Sequence, residues 1–160
     1  MDIVLLAVGR VKAGPERDLC NRYLERARKT GGRLGFRAFS VKEVSESRAA
    51  RGEDRIAEEA NALSRLVGEG GRTVCLDRAG EPMSSDELAR TLARDVEASL
   101  PLTAFVIGGP DGLGADMLEA SDRRLSFGRV TFPHQLVRVL LAEQLYRAMT
   151  ILSGHPYHRA

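Results

Sequence analysis

The chain has 160 residues, 43% of them hydrophobic and 29% charged. That suits one ordinary domain spanning residues 1–160 and excludes a disordered tail, a collagen-like repeat or a disulfide scaffold. The net charge of +2 conceals an asymmetry: residues 123–160 hold six arginines against the single acid Glu143, whereas the other 122 residues hold 18 basic and 21 acidic side chains.

A positive end on a near-neutral protein suits a nucleic-acid or phosphate-bearing partner. Of the 24 basic residues, however, 21 are arginine, a bias that genome composition alone can produce. The longest apolar run, Ile3 to Val8, is too short to cross a bilayer and has no small-residue cleavage pattern behind it, so a cytoplasmic protein without a membrane segment is expected. Cys20 and Cys75 stand far apart without a C-x-x-C spacing and read as buried thiols.

The apolar pattern alternates along the chain. Ile3 to Val8 reads as a buried strand ending at Gly9. Pro15 then opens a helix carrying Leu19, Tyr23 and Ala27 on one face, stopped by Gly31-Gly32. Leu34 to Val41 reads as the second strand, and the polar stretch from Lys42 to Glu53 as a mobile connection. Ile56, Ala60, Leu63 and Val67 mark a helix closed by Gly68, Gly70 and Gly71, and Thr73 to Leu76 is a short third strand. Ser84 and Glu87 form a capping-box pair ahead of Leu88, Leu92 and Val96. Thr103 to Ile107 is the fourth strand, Ala115 to Ser121 a short helix, and the fifth strand lies between about Leu125 and Phe132. Pro133 opens the longest helix, whose stripe of Leu136, Leu140, Leu141, Leu145, Ala148, Met149 and Leu152 is wider than one small domain needs. Strands alternating with helices predict an α/β domain with a mostly parallel sheet and helices on both faces.

Ligands in such sheets sit outside the carboxyl ends of the strands, which directs attention to the loops after Leu76, Ile107 and the fifth strand. The segment Gly108-Gly109-Pro110-Asp111-Gly112-Leu113-Gly114 has four glycines in seven residues and can bring bare backbone close to a ligand. It matches no standard phosphate motif. A P-loop requires Lys and Ser/Thr where Ala115 and Asp116 stand, and a dinucleotide fingerprint requires Gly or Ala at Met117. A nucleotide-like cofactor held by main-chain groups and a plain strand-to-helix turn both fit these residues. The second constellation comprises His134, Arg138, Glu143, Tyr146 and Arg147 on the last helix, with His155-Pro156-Tyr157-His158-Arg159 behind it. His155 and His158 have no third ligand nearby and a proline between them, so no metal site is expected.

Together, Ile107 to Gly114, Thr131-Phe132-Pro133-His134-Gln135-Leu136-Val137-Arg138-Val139-Leu140, Glu143-Gln144-Leu145-Tyr146-Arg147-Ala148 and His155 to Arg159 closely resemble the large-subunit (23S) ribosomal RNA pseudouridine N3-methyltransferase family. The resemblance covers essentially the whole chain. It implies a SPOUT-class fold with a C-terminal trefoil knot, a homodimer formed through the last helix, and S-adenosylmethionine as methyl donor. Carried over by motif, the donor is held by Leu76, Gly109 and the run Gly128, Arg129, Val130, Thr131, Phe132 and Pro133. For that reaction the residue chemistry offers as candidates His158 as base, Arg147 or Arg159 for charge and phosphate, Tyr157 for packing on the base or its sugar, and Glu143 orienting Arg147, roles that the resemblance itself does not assign. The implied partner is the ribosome, read by the shape of its large-subunit RNA. A silent ribosome-binding factor and a knotted tRNA methyltransferase are the alternative expectations.

Overall fold

The computed structural model describes residues 1–158. Its strands are β1 (Asp2–Val8), β2 (Ala38–Val44), β3 (Arg72–Pro82), β4 (Leu102–Ile107) and β5 (Arg123–Ser126), paired in the order β2-β1-β4-β3-β5 with every pair parallel. The helices are α1 (Pro15–Gly31), α2 (Gly52–Ser64), α3 (Ser85–Glu97), α4 (Ala115–Ala120) and α5 (His134–Leu152).

Parallel strands need crossovers, and the crossover helices here cover both faces of the sheet. Alternation along β1 sends Ile3, Leu5 and Ala7 toward α1, α3 and α5, and Val4, Leu6 and Val8 toward α2 and α4. On β4, Phe105 and Ile107 face the first layer while Ala104 and Val106 face the second. These central strands read as unbroken apolar runs because neither face meets water. At the opposite, amino-terminal edge, Asp95 on α3 is fully buried, accepts a hydrogen bond from Thr103 Oγ1 at 3.0 Å and lies 2.9 Å from Arg72 Nη2. Burial raises the Asp95 carboxyl above its ordinary range, and the Thr103 and Arg72 contacts oppose that shift.

Several boundaries differ from the sequence expectation for identifiable reasons. A 3-10 turn at Gly32–Leu34 delays the second strand, so Phe36 is buried before the strand begins and β2 runs to Val44. The polar connection is not loose: Ser47 N donates to Glu59 Oε1 at 2.9 Å, and Arg55 Nη1 donates to the carbonyls of Ala49 and Ala50, each at 3.1 Å. α2 starts at Gly52 and ends at Ser64, ahead of the glycines expected to close it. β3 extends to Pro82 through a register irregularity between Leu76 and Glu81, both of which pair with Leu125. β5 stops at Ser126, because Ser126 Oγ accepts from Gly128 N at 3.1 Å and Gly128 turns the chain with φ of 108°. Pro133 is the residue before α5 rather than part of it. Cys20 and Cys75 are free and buried, and burial pushes both thiols up.

The capping box is complete: Ser84 Oγ accepts from Glu87 N at 3.2 Å, and Glu87 Oε2 accepts from Ser84 N at 2.7 Å. Replacing Ser84 by Ala is expected to cost about 1 kcal/mol. Urea unfolding should show this as a lower midpoint with unchanged slope; an unchanged midpoint would mean that α3 is fixed by packing alone.

Candidate active site

Three loops meet at the carboxyl edge of the sheet and enclose a cavity of about 770 Å³. Leu76, Asp77 and Arg78 come from β3, the glycine segment Gly108 to Leu113 follows β4, and residues 127–133 connect β5 to α5. His134 and Val137 on the first turn of α5 complete the lining. The volume lies within the ordinary range for small-molecule sites. Leu76, Gly109, Gly128, Val130, Thr131, Phe132 and Pro133 from the sequence reading all line it, whereas Arg129 is exposed and does not.

Local contacts explain the glycines. A Cβ on Gly108 would lie 2.7 Å from both the carbonyl carbon and the oxygen of Gly112, so that turn admits no side chain. Gly112 N donates to Gly109 O at 3.0 Å, and Gly112 takes φ of 87°. A Cβ on Gly109 would meet Glu59 Oε2 at 2.9 Å and Val8 Cγ1 at 3.0 Å. The side-chain direction at Gly109 therefore points behind the loop, into the protein, and its backbone is what the cavity sees. Arg55 on α2 grips the loop from outside with a fork on Asp111, at 2.7 and 3.1 Å, which holds the Asp111 carboxyl below its usual range. On the opposite wall, Ser126 Oγ lies 3.2 Å from the Arg78 carbonyl oxygen, and Arg78 Nη1 reaches Thr131 Oγ1 at 3.5 Å.

Arg138 anchors the start of α5. Only 2% exposed, it pairs with Glu43 Oε1 at 2.6 Å and donates to the carbonyls of Val8 and Gly9 at 2.6 and 2.5 Å. A buried guanidinium is tolerable only when paired and hydrogen-bonded in this way. The clamp fixes the first turn of α5 against the ends of β1 and β2, and with it the cavity wall formed by His134 and Val137. His134 Nε2 lies 3.9 Å from Glu46 Oε1. Sequence reasoning passed over Asp77, Arg78 and Val137 as lining residues; their positions beside Leu76 and on the first turn after Pro133 were the available signal.

The second constellation divides: His134 and Arg138 stand at the cavity, whereas Glu143, Tyr146, Arg147, Tyr157 and His158 lie farther along α5 and on the tail behind it. Glu143 Oε1 accepts from Arg147 Nη2 at 2.5 Å, from Arg147 Nε at 3.0 Å and from the Tyr157 hydroxyl at 3.0 Å. The Arg147 guanidinium lies 4.9 Å from the Tyr157 ring centroid, and the Tyr146 and Tyr157 rings are 4.7 Å apart. Burial, then hydrogen bonding with Tyr23 and Glu143, raises the Tyr157 hydroxyl far above its ordinary range, so it stays protonated. His158 Nε2 lies 3.5 Å from Asp86 Oδ2, and its Nδ1 is buried without a partner among the described residues. Arg159 lies outside the described residues.

None of Glu143, Arg147, Tyr157 and His158 lines the cavity of its own chain. Glu143 and Arg147 stand roughly 9 and 15 Å farther along the helix axis than Val137, the last residue of α5 to touch it. Apolar surface is left uncovered at the cavity, where Val130 is 68% and Phe132 36% exposed, and along α5, where Leu136 is 42% and Leu140 37% exposed. Among the described residues no group of three or more His, Cys, Asp or Glu could hold a metal ion, and no helix is long and apolar enough to cross a membrane.

Comparison with known proteins agrees with this geometry. A family model described as "Predicted SPOUT methyltransferase" matches residues 1–158. The chain is 51% identical to the ribosomal RNA large subunit methyltransferase H of Afipia carboxidovorans over the whole of both chains. It is 50% identical to the like-named protein of Rhodopseudomonas palustris, again over the whole of both chains, and 50% identical to that of Methylocella silvestris over 99% of each. Among solved structures, a probable methylase family protein from Haemophilus influenzae Rd KW20 has the same fold, with a TM-score of 0.53 at 13% identity over 99% of this chain and 70% of that one. The family model over residues 1–158 and the full-length relatives place this chain in the SPOUT methyltransferase family.

Proposed function

We propose that this methyltransferase transfers the methyl group of S-adenosylmethionine to N3 of a pseudouridine in large-subunit ribosomal RNA, on the assembled ribosome in the cytoplasm. The observation that carries the reading is the cavity walled by three loops at the carboxyl edge of the sheet, in a chain half identical to relatives named for large-subunit rRNA methylation. The residues fit the donor. Gly108 and Gly109 bare the backbone on one wall, Leu76 and the run from Gly128 to Pro133 form the others, and Glu59 leaves an unpartnered carboxylate oxygen behind Gly109. When bound, the donor supplies an electrophilic methyl carbon: the N3–C bond forms as the C–S bond breaks, and sulfur keeps the electron pair.

The protein's own work is to position the acceptor and to take the N3 proton. His158 is the proposed base; its Nε2 lies 3.5 Å from Asp86 Oδ2. Arg147, held by Glu143, and Arg159 would favour the anionic imide and orient phosphate, and Tyr157 would pack on the nucleotide. Glu143, Arg147, Tyr157 and His158 lie away from their own chain's cavity, so the reading requires a homodimer. A two-fold contact over Leu136, Leu140, Val130 and Phe132 covers the exposed apolar stripe and carries each tail toward the partner's cavity. The family's trefoil threading belongs to the same reading, since it brings residues 127–133 back beside the glycine loop.

The test is transfer of labelled methyl to ribosomes from cells lacking this protein, with naked rRNA and tRNA alongside, followed by mapping. Label is expected at N3 of one large-subunit pseudouridine and only with assembled ribosomes. Label on tRNA, or on no RNA despite donor binding, would contradict it. Two variants separate the halves of the site. Gly109→Val drives its side chain into Glu59 and Val8, shifts the loop and should abolish donor binding in calorimetry. His158→Ala should leave donor affinity intact and lower turnover about a hundredfold; unchanged turnover would remove His158 as base.

A further inference from the structure

Glu59 is an unexplained buried acid. Sitting on α2 at 4% exposure, it uses Oε1 to accept from Ser47 N at 2.9 Å, while Oε2 is buried without a hydrogen-bond partner. That oxygen faces the back of Gly109, where a built Cβ would lie 2.9 Å away, and Gly109 lines the cavity on its other side. A carboxylate oxygen left unpaired in the interior is costly unless a positive or hydrogen-donating group comes near it. Arg55, one turn earlier on α2, is already committed to Asp111 through two hydrogen bonds. Arg55, Asp111 and Glu59 thus leave one negative charge behind the glycine loop. Of the other charged groups near the cavity, Asp77 and Arg78 both line it, Arg138 pairs with Glu43, Glu46 lies near His134, and Arg129 on the connection from β5 to α5 is exposed to solvent and outside the lining, so none of them lies against the buried Glu59 oxygen.

We propose that Glu59 is a specificity residue that makes the cavity select a cationic ligand, and hence the methyl donor over its spent product. The inference rests on the reading of this cavity as the donor site. S-Adenosylmethionine carries a sulfonium that S-adenosylhomocysteine lacks, so the two differ by one positive charge at nearly constant shape. A fixed negative charge separated from the cavity by one layer of glycine backbone acts on that difference. It also biases exchange after turnover, because the product leaves a site whose charge it no longer balances. The attraction is strongest before the methyl leaves, so it serves binding and exchange rather than the chemical step.

The test is calorimetric binding of both ligands to the unaltered protein and to Glu59→Gln. Unaltered protein should bind the donor more tightly than the product. The variant should lose about tenfold in donor affinity, the scale set by one nearby opposite charge, and keep its product affinity nearly unchanged. Equal weakening of both ligands, or a preserved ratio, would overturn the proposal and reduce Glu59 to a loop support. If the variant fails to fold, as judged by its thermal melt, the unaltered protein still decides. A donor analogue bearing an amine in place of the sulfonium should then bind like the donor, and equal affinities for analogue, donor and product would overturn the role of charge. Failure of the unaltered protein to bind any of the three would overturn the donor-site reading itself along with this one.

Discussion

In a sheet whose strands all run one way, every crossover returns the chain to the same edge, and the crossover helices seal both faces, so the loops at the carboxyl ends are the backbone best placed to meet a ligand. The molecule follows from that constraint. β1 and β4 are apolar on both faces because helices cover both. The loops after β3, β4 and β5 converge because their strands are neighbours in the order β4-β3-β5. Arg138 then links this edge to the longest helix: by binding Glu43 and the carbonyls of Val8 and Gly9, where β1 ends, it holds the first turn of α5 at the cavity, and the rest of the helix runs on beyond it.

That course divides the chemistry. The cavity end is a loop-walled pocket with the buried Glu59 carboxylate behind its glycine segment, which is the proposed donor site. The far end of α5 and the tail carry Arg147, Tyr157 and His158, suited to a nucleotide and its phosphates. Exposed Leu136 and Leu140 lie on the helix that joins these ends, where a second copy can bring them together.

Much of this was legible in the residues. Alternation of apolar runs with helical stripes located all five strands and all five helices, the Ser84–Glu87 box marked the start of α3 correctly, and the carboxyl-edge rule selected the loops that wall the cavity. The boundaries that moved depended on contacts between distant segments. Phe36 is buried outside a strand because a 3-10 turn intervenes, and β5 ends early because the Ser126 hydroxyl captures Gly128. The polar connection after β2 looked mobile because its partners, Glu59 and Arg55, lie in the following helix. Glu59 itself was invisible as a functional residue. A glutamate within an acidic helix reads as solvated surface, and only the folded chain turns its carboxylate toward Gly109.

The central claim is that donor pocket and catalytic tail meet only between two subunits. It is tested most directly by mixing two inactive proteins, Gly109→Val and His158→Ala, under conditions that exchange subunits, and assaying methyl transfer to ribosomes. Random pairing gives mixed dimers in which one pocket and one tail are both intact, so activity should return to about a quarter of that of the unaltered protein. A mixture that exchanges subunits yet stays as inactive as its components would contradict a shared site.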